Sequence, residues 1–173
     1  MDIRLGKTDD LGAVLALLDG AVAWLVAQGR TGQWGTEPFS SKPSVTQRMA
    51  ERIERGEMRL AVLDGEVVGA LSVSETAATY VDPAGEPELY VNLLVTERRR
   101  KGSGVGSALL EEARAEAGRR GLPLLRVDCY AGADQKLVGY YRSQGFTEVG
   151  PFGVPQGEGE PDWPGMLLAM RLD

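Results

Sequence analysis

Apolar positions along the chain change period repeatedly, and each change marks an element. Asp2 to Gly6 alternates as a short strand. Thr8-Asp-Asp then reads as the cap of a helix, because Leu11, Val14, Leu15, Leu18, Val22, Leu25 and Val26 recur at helical spacing as far as about Gly29. A second helix follows, capped at Ser44 with Val45, Met49 and Ile53 on one face, and it ends at Gly56. Period two then takes over in Met58–Leu63 and Glu66–Ser74, which flank Asp64-Gly65, a strong hairpin signal. Glu75 to Glu88 is polar and contains Asp82-Pro-Ala-Gly, so it reads as a turn before the apolar strand that begins at Leu89.

Beyond that strand lie a basic run, three alternating glycines and a helix opening near Gly104, with Val105, Leu109, Leu110, Ala113 and Ala117 as its apolar stripe and Gly121 as its stop. Leu124 to Tyr130 is a strand, Asp134 to Gln144 a helix capped by Gly145, and Phe146 to Val154 a strand. Pro155 to Pro164 is a loop, and Met166 to Leu172 closes the chain as a strand. The order β-α-α-β-β-β-α-β-α-β-β predicts an α/β (α+β) protein, with a mixed sheet and helices on both faces. At 173 residues and 43% hydrophobic, the chain is expected to form one domain over residues 1–173.

A formal charge of -6 argues against non-specific nucleic-acid binding, so the basic run Arg98 to Lys101 is a local feature of an acidic protein. No segment is expected to reach the roughly 20 apolar residues of a membrane helix. The N-terminus lacks the pattern of a signal peptide and Cys129 has no partner for a disulfide, which together point to the cytoplasm. Histidine is absent, so His-dependent triads are excluded, a zinc site has too few ligands, and proton transfer falls to carboxylates, Tyr, Lys or water.

The glycine turn reads as an anion cradle: Gly102, Gly104 and Gly106 clear space for a ligand, and a helix N-terminus directs its unpaired N–H groups at it. P-loop and dinucleotide spacings both fail, since no Gly-Lys-Ser/Thr closes the run and Ser107 stands where the last dinucleotide glycine belongs. What remains, Lys101-Gly-Ser-Gly104-Val-Gly106, resembles the acetyl-CoA signature Arg/Gln-x-x-Gly-x-Gly/Ala of the GNAT family of N-acetyltransferases, with Lys101 in place of Arg or Gln. The segment Val127 to Phe146 resembles that family's second signature, Asn-x-x-Ala-x-x-x-Tyr-x-x-x-Gly-Phe. Tyr141, Gly145 and Phe146 match it, while Asp134 replaces Asn and Leu137 replaces Ala.

The resemblance implies a mostly antiparallel GNAT sheet whose central strands splay, the pantetheine of acetyl-CoA lying between them. It implies cofactor contacts from Leu94 and Val95, whose amides would meet the oxyanion, from Arg100, Lys101, Gly102, Ser103, Gly104, Val105, Gly106 and Ser107 at the pyrophosphate, and from Asp134 and Tyr141. Tyr141 would protonate the departing thiolate.

For the base, alternation puts Glu88, Tyr90, Asn92 and Leu94 on one strand face. Glu88 is the first choice, directly or through water, and Asp128 the second. Tyr90, Asn92, Trp34 and Phe39 are candidates for the acceptor site, although the two aromatics of the 30–43 loop equally suit a satellite core. Cys129 has no histidine to activate it as a nucleophile. The expected partner is a small-molecule amine, with a homodimer left open. The competing reading is a non-catalytic acyl-CoA-binding sensor or regulatory module of the same fold.

Overall fold

The computed structural model describes residues 1–132 and 134–173. Its elements are β1 (Asp2–Leu5), α1 (Leu11–Ala27), α2 (Pro43–Glu54), β2 (Met58–Leu63), β3 (Glu66–Ser74), β4 (Leu89–Thr96), α3 (Val105–Arg119), β5 (Leu124–Tyr130), α4 (Lys136–Ser143), β6 (Thr147–Val154) and β7 (Trp163–Arg171). Seven strands form a sheet in the order β1-β2-β3-β4-β5-β7-β6. The β1–β2, β2–β3, β5–β7 and β6–β7 pairs are antiparallel and β4–β5 is parallel. The chain divides into two compact units, Met1–Val73 with Leu93–Glu112, and Ser74–Asn92 with Ala113–Asp173.

In the first unit, Val14, Leu17, Leu18 and Ala21 of α1 and Met49 and Ile53 of α2 pack with Met58, Leu60, Ala70 and Val95 of the strands. The hairpin turn is as the sequence predicts: Asp64 and Gly65 both take positive φ, 52° and 81°, as a two-residue turn matching the strand twist requires. Helix α2 starts one residue before Ser44, with Pro43 in its first turn, where a missing N–H costs nothing. Thr8–Asp10 forms a 3₁₀ turn rather than a cap, and Arg4 grips the Asp10 carboxylate at 2.8 and 2.9 Å, holding its pKa down at about 2.

Thr8–Ala27 is, against expectation, 20 residues long and apolar enough to cross a membrane by length and composition. Six of its residues, Val14, Leu17, Leu18, Ala21, Val22 and Leu25, are buried within the protein, and that core-facing side supplies much of its apolar content.

In the second unit, β5 pairs with β7 from Leu124↔Arg171 to Tyr130↔Gly165, and β6 pairs with β7 from Thr147↔Ala169 to Val154↔Trp163. The last of these pairs draws Trp163 and Pro164 into β7, three residues before the expected start at Met166. Helix α4 begins at Lys136 rather than Asp134, because Gln135 takes a left-handed φ of 53° and ends the preceding turn.

Candidate active site

The glycine turn is fixed from below by a bare strand. A Cβ on Gly69 of β3 would lie 2.7 Å from Val105 Cγ1 and 2.9 Å from Leu109 Cδ1, so the first turn of α3 sits directly on backbone where any side chain would collide. Gly102 and Gly104 have φ of 83° and 85°, a region that disfavours every L side chain. A Cβ at either would meet nothing within 4 Å, so the space above the turn is open. The first intrahelical bond of α3 is closed by Ala108 N–H onto Gly104 O at 3.0 Å, which leaves the amides of Val105, Gly106 and Ser107 without an intrahelical acceptor.

Around this turn, Arg100 is already engaged by Glu97 at 2.9 Å, and Arg98 stacks over Trp24 of α1 at 3.7 Å. Lys101 is exposed and lies 5.8 Å from the Trp24 ring centroid. Leu94 is half-buried and Val95 belongs to the core of its unit. Trp34 and Phe39 meet edge to face at 5.4 Å and pack on that same core, each retaining a half-exposed edge.

In the second unit the polar positions sort themselves differently from expectation. Parallel register places Tyr90 beside Arg126, and the residues flanking this pair meet across the strands. Glu88 is 7% exposed and both of its oxygens are held by Arg126, Nη2 donating to Oε1 at 2.9 Å and Nε to Oε2. A carboxylate so neutralised is poorly placed to collect a substrate proton, and this corrects the choice of Glu88 as base. Removing it would strand a buried guanidinium. Glu88→Gln is expected to cost about 3–5 kcal/mol of stability in urea unfolding; a loss below about 1 kcal/mol, the range of exposed pairs, would show that the pair is not structural.

Tyr90 has no exposed surface, and its ring is buried with Val81 and Leu167. This corrects its assignment to the acceptor wall, because a substrate has no surface of Tyr90 to touch. Its hydroxyl instead donates to Asp128 Oδ2, and the Tyr80 hydroxyl donates to Asp128 Oδ1 at 3.1 Å. Burial raises the Asp128 pKa above the ordinary value, partly opposed by these two hydrogen bonds. Asn92 ties down the start of the 74–88 segment, accepting from Ser74 Oγ at 2.8 Å and donating to Thr76 O at 3.2 Å.

Tyr141 is 6% exposed and wedged edge-on between Tyr140 and Phe146, at 5.4 and 5.7 Å. Burial pushes its pKa above the ordinary phenol value. Cys129 is buried with its thiol pushed up to about 12, which leaves it inert as a nucleophile. Asp134 is exposed, its Oδ1 accepting from Lys136 N–H at 3.1 Å.

An acetyltransferase (GNAT) family model matches residues 18–146. The chain belongs to the GNAT family. Its fold is that of the ribosomal-protein-alanine N-acetyltransferase of Brucella melitensis, at 25% identity over 99% of this chain and 100% of that one, with a TM-score of 0.71. It is similar also to an N-acetyltransferase of Staphylococcus aureus Mu50, at 17% identity, 99% and 98% coverage and a TM-score of 0.72. A third structure, yncA of Salmonella typhimurium, was solved with its cofactor acetyl-CoA; it is 17% identical over 99% and 94% of the two chains, with a TM-score of 0.70. No curated protein matched the sequence.

For this GNAT chain, sequence reasoning missed two groups, Tyr80 and Arg126. Tyr80 lies in a segment without periodicity. Arg126 shares strand parity with Asp128, a visible signal, but its pairing with Glu88 depends on the β4–β5 register.

Proposed function

We propose that the protein is an acetyl-CoA-dependent N-acetyltransferase that acetylates the primary amine of a small molecule by direct attack, with Asp128 as general base and Tyr141 as general acid. The observation that carries this reading is the Asp128 carboxylate, half-buried, hydrogen-bonded by two tyrosines and raised in pKa toward the range where a base accepts and releases protons readily. The glycine turn fits the cosubstrate: positive φ, open space above the backbone and the unpaired amides of α3 suit a pyrophosphate.

Bound there, acetyl-CoA supplies an activated acetyl group on a thiolate leaving group. Asp128 takes one proton from the acceptor ammonium, freeing the lone pair that forms the C–N bond. Tyr141 gives its phenolic proton to the sulfur as the C–S bond breaks, and solvent restores it. The second nitrogen proton leaves to solvent, so the net products are the amide, free thiol and one proton. Free-thiol release from acetyl-CoA with a panel of amines tests the reading; acetyl-CoA binding without release for any amine would favour the sensor module.

The cradle is tested separately. Gly104→Val forces a β-branched residue to a φ of 85°, at a cost of roughly 1–2 kcal/mol, and fills the space a phosphate needs. Calorimetry is expected to show acetyl-CoA affinity at least about tenfold weaker. Unchanged affinity would place the cosubstrate elsewhere.

A further inference from the structure

The basic run after β4 is paired unevenly. Arg99 and Arg100 each donate from Nε to the Glu97 carboxylate at 2.9 Å, so their charges are answered locally. Arg98, the first residue of the 3₁₀ turn Arg98–Arg100, has no carboxylate partner among the described residues. Its guanidinium sits 3.7 Å from the centroid of the Trp24 ring, and its Nε is buried with no hydrogen-bond partner. A buried charged donor left unsatisfied is costly, and among the described residues no other side-chain nitrogen or oxygen is left so.

Two further cations are brought to the same place. Gly29 takes a φ of 70° past the end of α1, and the chain turns back: Gly29 N–H reaches Val26 O at 3.0 Å and Arg30 N–H reaches Leu25 O at 2.8 Å. That reversal sets Arg30 against the last turn of α1, close enough for its charge to oppose that of Arg98. Burial first, and then this repulsion, lower the Arg98 pKa from its ordinary value, yet a guanidinium stays charged at neutral pH. Lys101 is exposed, with Nζ 5.8 Å from the Trp24 centroid. Trp24, Arg30, Arg98 and Lys101 all belong to the first unit.

Packing accounts for one of these cations. An indole face, or the carbonyl end of a helix with about half a negative charge, stabilises a single positive group. Three around one ring repel one another until an anion joins them. A phosphomonoester suits them best, since it carries about 1.5 to 2 negative charges at pH 7 and three acceptor oxygens, enough to meet the Arg98 fork and the Lys101 ammonium together. A carboxylate brings only one charge.

We propose that Trp24, Arg30, Arg98 and Lys101 form a second anion site, for a phosphomonoester dianion, beside the glycine cradle and separate from it. Lys101 adjoins Gly102, so the 98–106 turn carries cationic side chains at its Trp24 end and the unpaired amides at its α3 end. The dianion has two sources: the 3′-phosphate of the cosubstrate whose pyrophosphate the cradle takes, or a phosphate carried by the acceptor amine. The site rests on its own geometry, and only the two sources rest on the acetyltransferase reading.

Calorimetry on the full chain in about 0.15 M salt distinguishes the sources. Coenzyme A is compared with 3′-dephospho-coenzyme A; then, with coenzyme A saturating, O-phosphoethanolamine is compared with ethanolamine. In at least one pair the phosphorylated member is expected to bind at least about tenfold more tightly, the size of a charge-assisted hydrogen bond. A preference in the first pair assigns the site to the cosubstrate, and one in the second to the acceptor. Parity in both pairs overturns the proposal. Arg98→Met keeps an apolar stem on Trp24 and deletes the charge, while Lys101→Met alters only an exposed side chain; each is expected to bring the preference down toward parity. Arg99→Met removes the same charge from the same turn at a residue paired with Glu97, and the preference should persist. A preference that survives both Arg98→Met and Lys101→Met, or that falls equally in Arg99→Met, overturns the assignment to this site. Because binding is read without turnover, failure of thiol release with every amine would sink the acetyltransferase reading while these affinity comparisons still decide this one.

Discussion

Asp128→Asn is expected to lower kcat/KM for the acceptor by about 10²- to 10⁴-fold, the range for a positioned general base. Asparagine keeps the shape and still accepts a hydrogen bond from Tyr80 or Tyr90, so loss of the proton-accepting charge is the main change. The active form is the carboxylate. Its pKa is raised by burial, so wild-type kcat/KM should fall as pH drops through a value above the ordinary carboxylate range near 4, and the Asn variant should lose that limb. Tyr80→Phe gives a second reading of the same group. The Tyr80 hydrogen bond favours the ionised form, so deleting it should move the acid limb to higher pH. A wild-type acid limb that persists unchanged in Asp128→Asn would assign the base to water or another side chain.

What the sequence revealed and what it hid separate along physical lines. Element types were legible because periods of two and 3.6 are local, and the Asp64-Gly65 turn and the glycine run announce backbone that only certain residues tolerate. Element ends were less so. Helix α4 starts late because Gln135, a residue with no strong preference for positive φ, adopts it. Helix α1 looks able to span a membrane because an apolar face serving a core has the same composition as one serving lipid.

The site was legible where it is made of backbone and hidden where it depends on register. Period two places Glu88 and Tyr90 on one face correctly, but says nothing of the strand beside them. That neighbour carries Arg126 and Asp128, so Glu88 is consumed by an ion pair and Tyr90 becomes a hydrogen-bond donor to the carboxylate rather than a substrate contact. Tyr80 comes from a polar connection whose path no periodicity constrains.

Tyr141→Phe is expected to lower kcat by roughly 10²-fold or more. Expelling a thiolate is easier when a proton arrives as the C–S bond breaks, and the phenol must be protonated to give it. Burial raises the Tyr141 pKa above the ordinary value near 10, so the hydroxyl remains a donor throughout the neutral and mildly alkaline range, and loss of this proton should not limit the wild-type rate there. Phenylalanine preserves the edge-on packing against Phe146 and Tyr140, so folding should be little disturbed and acetyl-CoA affinity nearly constant. Tyr140→Phe, the same deletion one residue away, controls for loss of a hydroxyl on this helix. Some rate should survive in Tyr141→Phe because a thiolate also departs unaided. The measurement is kcat against pH for the wild type and both variants with a turned-over amine. Equal kcat in wild type and Tyr141→Phe would make Tyr141 a core tyrosine and leave the leaving-group proton to water.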